Sequence, residues 1–123
     1  MYLRRREGVK TGAFRTFVTD ELVPALVKAG PLRELRTQVF MPWIERLWDT
    51  PNVAHDNPTD QRFHASLILG FADTNALRAF IASAEIATLS DKLPEPVSAV
   101  HAYDVTEGLT YVKDGKILPH YQT

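Results

Sequence analysis

An α+β domain of two layers is the fold this sequence predicts, and three observations predict it. Apolar residues recur with period two in three segments and with helical three- and four-residue steps in two others, and a short strand-like run opens the chain. The order along the chain is strand, helix, strand, strand, helix, strand. A proline-punctuated stretch, 42–60, divides that series into halves. The length, 123 residues, suits a single domain over 1–123 that buries about 65% of its unfolded surface.

Tyr2-Leu3-Arg4-Arg5-Arg6 is short and runs into Gly8, as a brief strand followed by a turn would. From Thr11, expected as the N-cap, Phe14, Phe17, Val18, Leu22, Ala25 and Ala29 mark one buried helix face. Pro24 removes a backbone donor and is expected to kink this helix, and Gly30-Pro31 ends it. Leu32 to Met41 alternates Leu35, Thr37, Val39 and Met41 against Glu34, Arg36, Gln38 and Phe40, the pattern of a half-buried strand. Residues 42–60 carry Pro42, Pro51 and Pro58 and predict a long loop, with one helical turn around Trp43 to Trp48.

Arg62 to Phe71 is the clearest strand, with Phe63, Ala65, Leu67, Leu69 and Phe71 facing one way and His64, Ser66, Ile68 and Gly70 the other. Asp73 or Thr74 caps a second helix whose buried stripe is Leu77, Phe80, Ile81, Ala84, Ala87 and Thr88, closed by Leu93-Pro94-Glu95-Pro96. Val97 to Val105 is a fourth strand, with His101, Tyr103 and Val105 on one face. Asp114-Gly115 between apolar pairs signals a two-residue hairpin within a C-terminal extension, 107–123. Its Tyr111, Val112, Ile117 and Leu118 would be exposed unless it adds to an edge strand of its own sheet or a partner's.

This series is the ferredoxin-like arrangement βαββαβ, with helices on one face of an antiparallel sheet ordered 4-1-3-2. The other face meets solvent, a ligand or another subunit. It would display Arg36, Gln38, Phe40, His64, Ser66, Ile68, His101, Tyr103 and Val105, a mixture suited to a cleft closed by a second copy.

Composition removes other classes. No cysteine means no disulfide, thiolate nucleophile or cysteine-held metal, and fits a reducing compartment. A net charge of -1 gives no global attraction to nucleic acid or anionic membrane. No segment nears the roughly 18 apolar residues of a membrane helix, so the expectation is a soluble, cytoplasmic protein. Phosphate-binding glycine motifs and a Gly-x-Ser-x-Gly elbow are lacking, and no cofactor is called for. Residues 1–36 hold eight Lys/Arg against four Asp/Glu and the remainder six against eleven, an asymmetry that favours symmetric self-association or is simply solvated.

The opening MYLRRREGVKTGAFRTFVTDELVPAL, through Arg5, Arg6, Gly8, Phe14 and Pro24, resembles EthD-like proteins of the dimeric α/β barrel superfamily. HASLILGFADTNALRAFIASAEI is similar to that family's third strand and second helix. The resemblance implies homodimers whose sheets meet face to face as a barrel. It spans small-molecule chemistries without a cofactor, among them monooxygenation, cyclisation and isomerisation, as well as accessory roles. Where the family helix commonly has His-x-Pro, this chain has Leu22-Val23-Pro24, so no chemistry is carried over through that histidine.

His64 and His101 are expected on one face with a strand between them, their backbones about 10 Å apart, leaving room for a planar ligand. Either could serve as a general base, and the competing reading is a hydrogen-bonded interface histidine. Tyr103 would donate to an enolate or carbonyl oxygen, or simply pack. Arg36 and Gln38, with Phe40 and Ser66 beside them, would hold a carboxylate or carbonyl, unless Arg36 forms an interfacial salt bridge. Trp43 and Trp48 would cover the cleft mouth or anchor the core. His55, Asp56 and His120 lack a spacing that would assemble a metal site. The basic Arg4-Arg5-Arg6 cluster beside Tyr2 admits RNA binding, but the central strand lacks paired exposed aromatics. The expected partners are therefore a second copy and a small oxygen-bearing molecule, with catalysis or a carrier role left open.

Overall fold

The computed structural model describes residues 1–40, 61–105 and 109–119. Its elements are β1 (Tyr2–Arg5), α1 (Thr11–Phe17), a π-helical turn (Val18–Leu22), α2 (Val23–Ala29), β2 (Glu34–Val39), β3 (Ala65–Gly70), α3 (Thr74–Ile81), α4 (Ala84–Lys92), β4 (Val97–His101) and a small hairpin, β5 (Val112–Lys113) and β6 (Lys116–Ile117). The four long strands form an antiparallel sheet in the order β2-β3-β1-β4. This α+β arrangement is compatible with a ferredoxin-like fold, and its strand order is the expected one. Leu3, Ala65, Leu67 and Val97 turn one sheet face towards Phe14, Phe17, Val18, Leu22, Leu26, Phe80 and Leu89, and the core lies between.

Several local details depart from expectation, each with a physical cause. Thr11 is the first helical residue; the N-cap is Lys10, with an extended backbone and no side-chain cap. Pro24 lacks the N–H that would bond the Asp20 carbonyl, and the helix accommodates it with a wider turn in which the Val23 N–H donates to the Val18 carbonyl. The helical run thus continues through proline.

Gly30 ends α2 with φ −59° and an extended ψ, as the following Pro31 requires, and not in the left-handed conformation. A Cβ added here would lie 2.7 Å from the Leu32 backbone nitrogen and 3.3 Å from its Cγ. Gly30→Ala should therefore cost about 1–3 kcal/mol in displaced backbone, offset partly by the about 0.4–1 kcal/mol alanine contributes through the unfolded state. Thermal denaturation checks this, with a melting temperature lower by roughly 4 °C for each net kcal/mol. An unshifted transition would show that the Leu32 backbone yields freely.

The second helix divides in two. Asp73 caps α3, accepting the Ala76 N–H at 2.8 Å as expected. Ser83 then interrupts the run. Its hydroxyl donates to the Phe80 carbonyl at 2.7 Å and accepts the Ile86 N–H at 3.3 Å, so one side chain ends α3 and caps α4. The interruption resets the helical phase. Phe80 is buried and Leu77 half-buried, but Ile81, Ala84, Ala87 and Thr88 are exposed, and the α4 face that meets the core is Ile86, Leu89 and Leu93.

The Arg5-Arg6-x-Gly segment is a structural stitch. The Arg5 guanidinium donates to the Val9 carbonyl, closing the turn in which Gly8 sits at φ +88°. The Arg6 N–H donates to the Pro96 carbonyl at 2.9 Å and its Nε to that of Pro94 at 2.7 Å, tying the end of β1 to the loop before β4.

The hairpin closes through Asp114 at φ +51° and Gly115 at φ +77°, the paired left-handed turn that Asp-Gly favours. It forms a separate two-stranded sheet, which corrects the expectation that it adds to an edge of its own four-stranded sheet. The tight turn lets Val112 pair with Ile117 and Lys113 with Lys116, so its described ladder is internal. No described helix is long and apolar enough to cross a membrane.

Candidate functional site

The sheet face away from the helices is where candidate residues gather. Register places Gln38 opposite Ser66, Ser66 opposite Tyr2, and Tyr2 opposite His101. One row of hydrogen-bonding side chains therefore crosses all four strands, its ends separated by three strand spacings, about 14 Å. The Ser66 hydroxyl donates to Gln38 Oε1 at 3.1 Å. In the next row Arg36 stands opposite Ile68, and its Nε lies 2.7 Å from Oε1 of Glu34 on the same strand. This pair within one strand stands in place of the interfacial salt bridge expected of Arg36.

Arg36, Thr37, Gln38, Ser66 and Ile68 line a shallow depression of about 260 Å3. That falls below the roughly 300 Å3 at which sites begin to enclose a small ligand. Beside it the face is aromatic. Tyr2 lies 5.5 Å from Phe63 and 6.1 Å from Tyr103, centroid to centroid, and Phe63 lies 5.1 Å from His101. The Arg4 guanidinium sits 5.2 Å from the Phe63 centroid. Large apolar groups stay open to solvent here, Ile68 at 55% and Tyr103 at 69% exposure, with Phe40 also exposed.

The two histidines do not share this face, which corrects their expected pairing. His64 Nδ1 accepts the Arg5 backbone N–H at 2.9 Å, and its ring lies edge-on to the core residue Phe14, 6.2 Å away. The cause is a local doubling of the strand. Ala65 is the register partner of Leu3, yet the His64 N–H donates to the Leu3 carbonyl at 2.8 Å, so two residues oppose one in a bulge-like pairing. Alternation breaks there, and Phe63 goes to the outer face in place of His64. With Nδ1 accepting, the neutral His64 ring carries its proton on Nε2, and that lone pair supports the backbone instead of a substrate.

The fourth strand has its own irregularity. Arg4 pairs with Ala99 and Arg5 with Val97, leaving Ser98 as the extra residue, and the strand ends at His101, short of the expected Val105. Its Ser98 hydroxyl donates to the Arg4 carbonyl at 3.4 Å. The irregularity keeps Val97 in the core while His101 points outward.

Tyr2, Arg4 and Phe63 are the outer-face residues that sequence reasoning missed. Tyr2 and Arg4 flank the buried Leu3, so strict alternation along β1 was a usable signal for both. Phe63 carried none, because its face depends on the doubling at Leu3. Trp43, Trp48, His55, Asp56 and His120 lie outside the described residues. Among those described, no three His, Cys, Asp or Glu side chains group as a metal site would.

No protein-family model, curated protein or solved structure matches the chain, so the functional reading rests on this geometry.

Proposed function

We propose that this chain is one subunit of a homodimer whose outer sheet faces meet and enclose a site for a small, oxygen-bearing aromatic molecule. The observation that carries the reading is the Gln38–Ser66–Tyr2–His101 row, lying among exposed aromatic groups on a face that no described element covers. A sheet face left in water has no need of Tyr103, Ile68 and Phe40 together. The depression beside the row is too open to bury a ligand alone, and a second copy would supply the missing wall. The EthD-like resemblance of β1 and the helix after it points the same way.

His101 is the group we assign to proton transfer, since its imidazole stands on the outer face at the end of the row, beside Phe63. Tyr103 would donate to the substrate oxygen. One observation favours a non-catalytic carrier instead: among the described residues, no carboxylate is paired with His101 to orient its ring. Light scattering across a dilution series tests the assembly, with a mass near twice 13.9 kDa expected. Once a converted ligand is found, His101→Ala separates the two roles: turnover should vanish while binding stays within about threefold. Unchanged turnover in that variant would remove His101 as the base.

A further inference from the structure

Among the described residues the outer face carries Arg4 and Arg36, and Arg36 alone of the two has a carboxylate partner. Arg36 already has the Glu34 carboxylate at 2.7 Å, so a second carboxylate arriving there would meet a like charge. Arg4 differs. It is half-buried, its Nε donates to the Arg62 carbonyl at 3.2 Å, and its guanidinium lies against Phe63. Among the described residues, no carboxylate lies within ion-pairing distance of it. Tyr2 and His101 each contact the same Phe63 ring, so the cation stands in an aromatic cluster.

We infer that Arg4, and not Arg36, receives the ligand, and that the ligand is a planar aromatic carboxylate. This rests on the enclosed-face reading and names the ligand class for that site. A guanidinium pinned at Nε still presents its two terminal nitrogens, and a carboxylate accepts from such groups at fixed geometry. The ligand ring would lie among Tyr2, Phe63 and Tyr103, where offset and edge-on contacts with aromatic side chains are favourable. Closure of the face would strengthen the demand for an anion, because a guanidinium taken out of water without a counter-charge is costly. A neutral aromatic amide would fill the same space and leave that charge unpaired.

Salicylate and its neutral amide, salicylamide, are probes of one shape that differ in this charge. By isothermal titration calorimetry the unaltered protein should bind salicylate at least about tenfold more tightly. Arg4→Met should erase that preference, and Arg36→Met should retain it. Should Arg4→Met fail to fold, Arg4→Lys carries the test, because it keeps the charge but loses the planar fork and should cut the preference severalfold. Equal affinity for the two probes, absence of binding by both, or a preference lost in Arg36→Met but kept at Arg4 would overturn the assignment. Light scattering on the same samples separates the two ideas. A dimer without the anion preference discards the ligand class alone, while a monomer that retains an Arg4-dependent preference supports the ligand class and discards the enclosure.

Discussion

Ile68→Glu should leave the fold intact and break the proposed dimer. Ile68 is 55% exposed at the middle of β3, so a carboxylate there stays in water in the free subunit, next to Arg36 across the strand pair. In a face-to-face dimer the same carboxylate is buried once from each subunit. Arg36 is already engaged by Glu34 and offers only shared compensation. Burying an inadequately paired ion costs several kcal/mol even after relaxation, and each 1.4 kcal/mol is a factor of ten in affinity. The dimer constant should weaken by at least about 100-fold. Light scattering would then show a mass near 13.9 kDa at concentrations where the proposed dimer of the unaltered protein has twice that, with an unchanged far-ultraviolet dichroism spectrum. A variant as dimeric as its parent would place the interface elsewhere, and the outer face would need another occupant.

The same face shows which parts of the molecule were legible in the sequence. Strand identity and layer assignment follow from patterns that each segment carries alone, Leu35 and Val39 against Arg36 and Gln38, or Leu67 and Leu69 against Ser66 and Ile68, and the strand order follows from the series of elements. Asp73 as a cap and Asp114-Gly115 as a turn are also local, since each works through its own backbone neighbours. What escaped is set between segments. Whether Phe63 or His64 faces outward depends on two residues sharing Leu3, a property of pairing with β1. Ser83 sits in an alanine-rich stretch with good helix propensity, and it interrupts the helix only because its hydroxyl serves the Phe80 carbonyl and the Ile86 N–H at once. The candidate site inherits these shifts. Gln38, Ser66 and His101 were legible as outer-face residues, but His64 was exchanged for Phe63. Arg4 entered through a cation–aromatic contact that no periodicity reports.

Phe14→Ala should have the opposite effect to Ile68→Glu, loss of stability with no direct effect on association. Phe14 is 1% exposed and among the largest fully buried side chains, held between the helical layer and the sheet. Removing a buried aromatic ring forfeits its transfer free energy and leaves a cavity, together about 3–5 kcal/mol. That is a large share of the roughly 5–15 kcal/mol by which a domain is stable. The loss reaches further than the core, because the Phe14 ring also backs His64, whose Nδ1 holds the Arg5 N–H where β1 turns away. Urea denaturation should show a much lower midpoint at an unchanged slope, the sign of altered stability without altered cooperativity. A loss under about 1 kcal/mol would mean that the helices collapse onto the vacated space. At concentrations where Phe14→Ala remains folded, its dimer constant should match the parent's, because Phe14 lies on the helix side of the sheet and the row from Gln38 to His101 on the other.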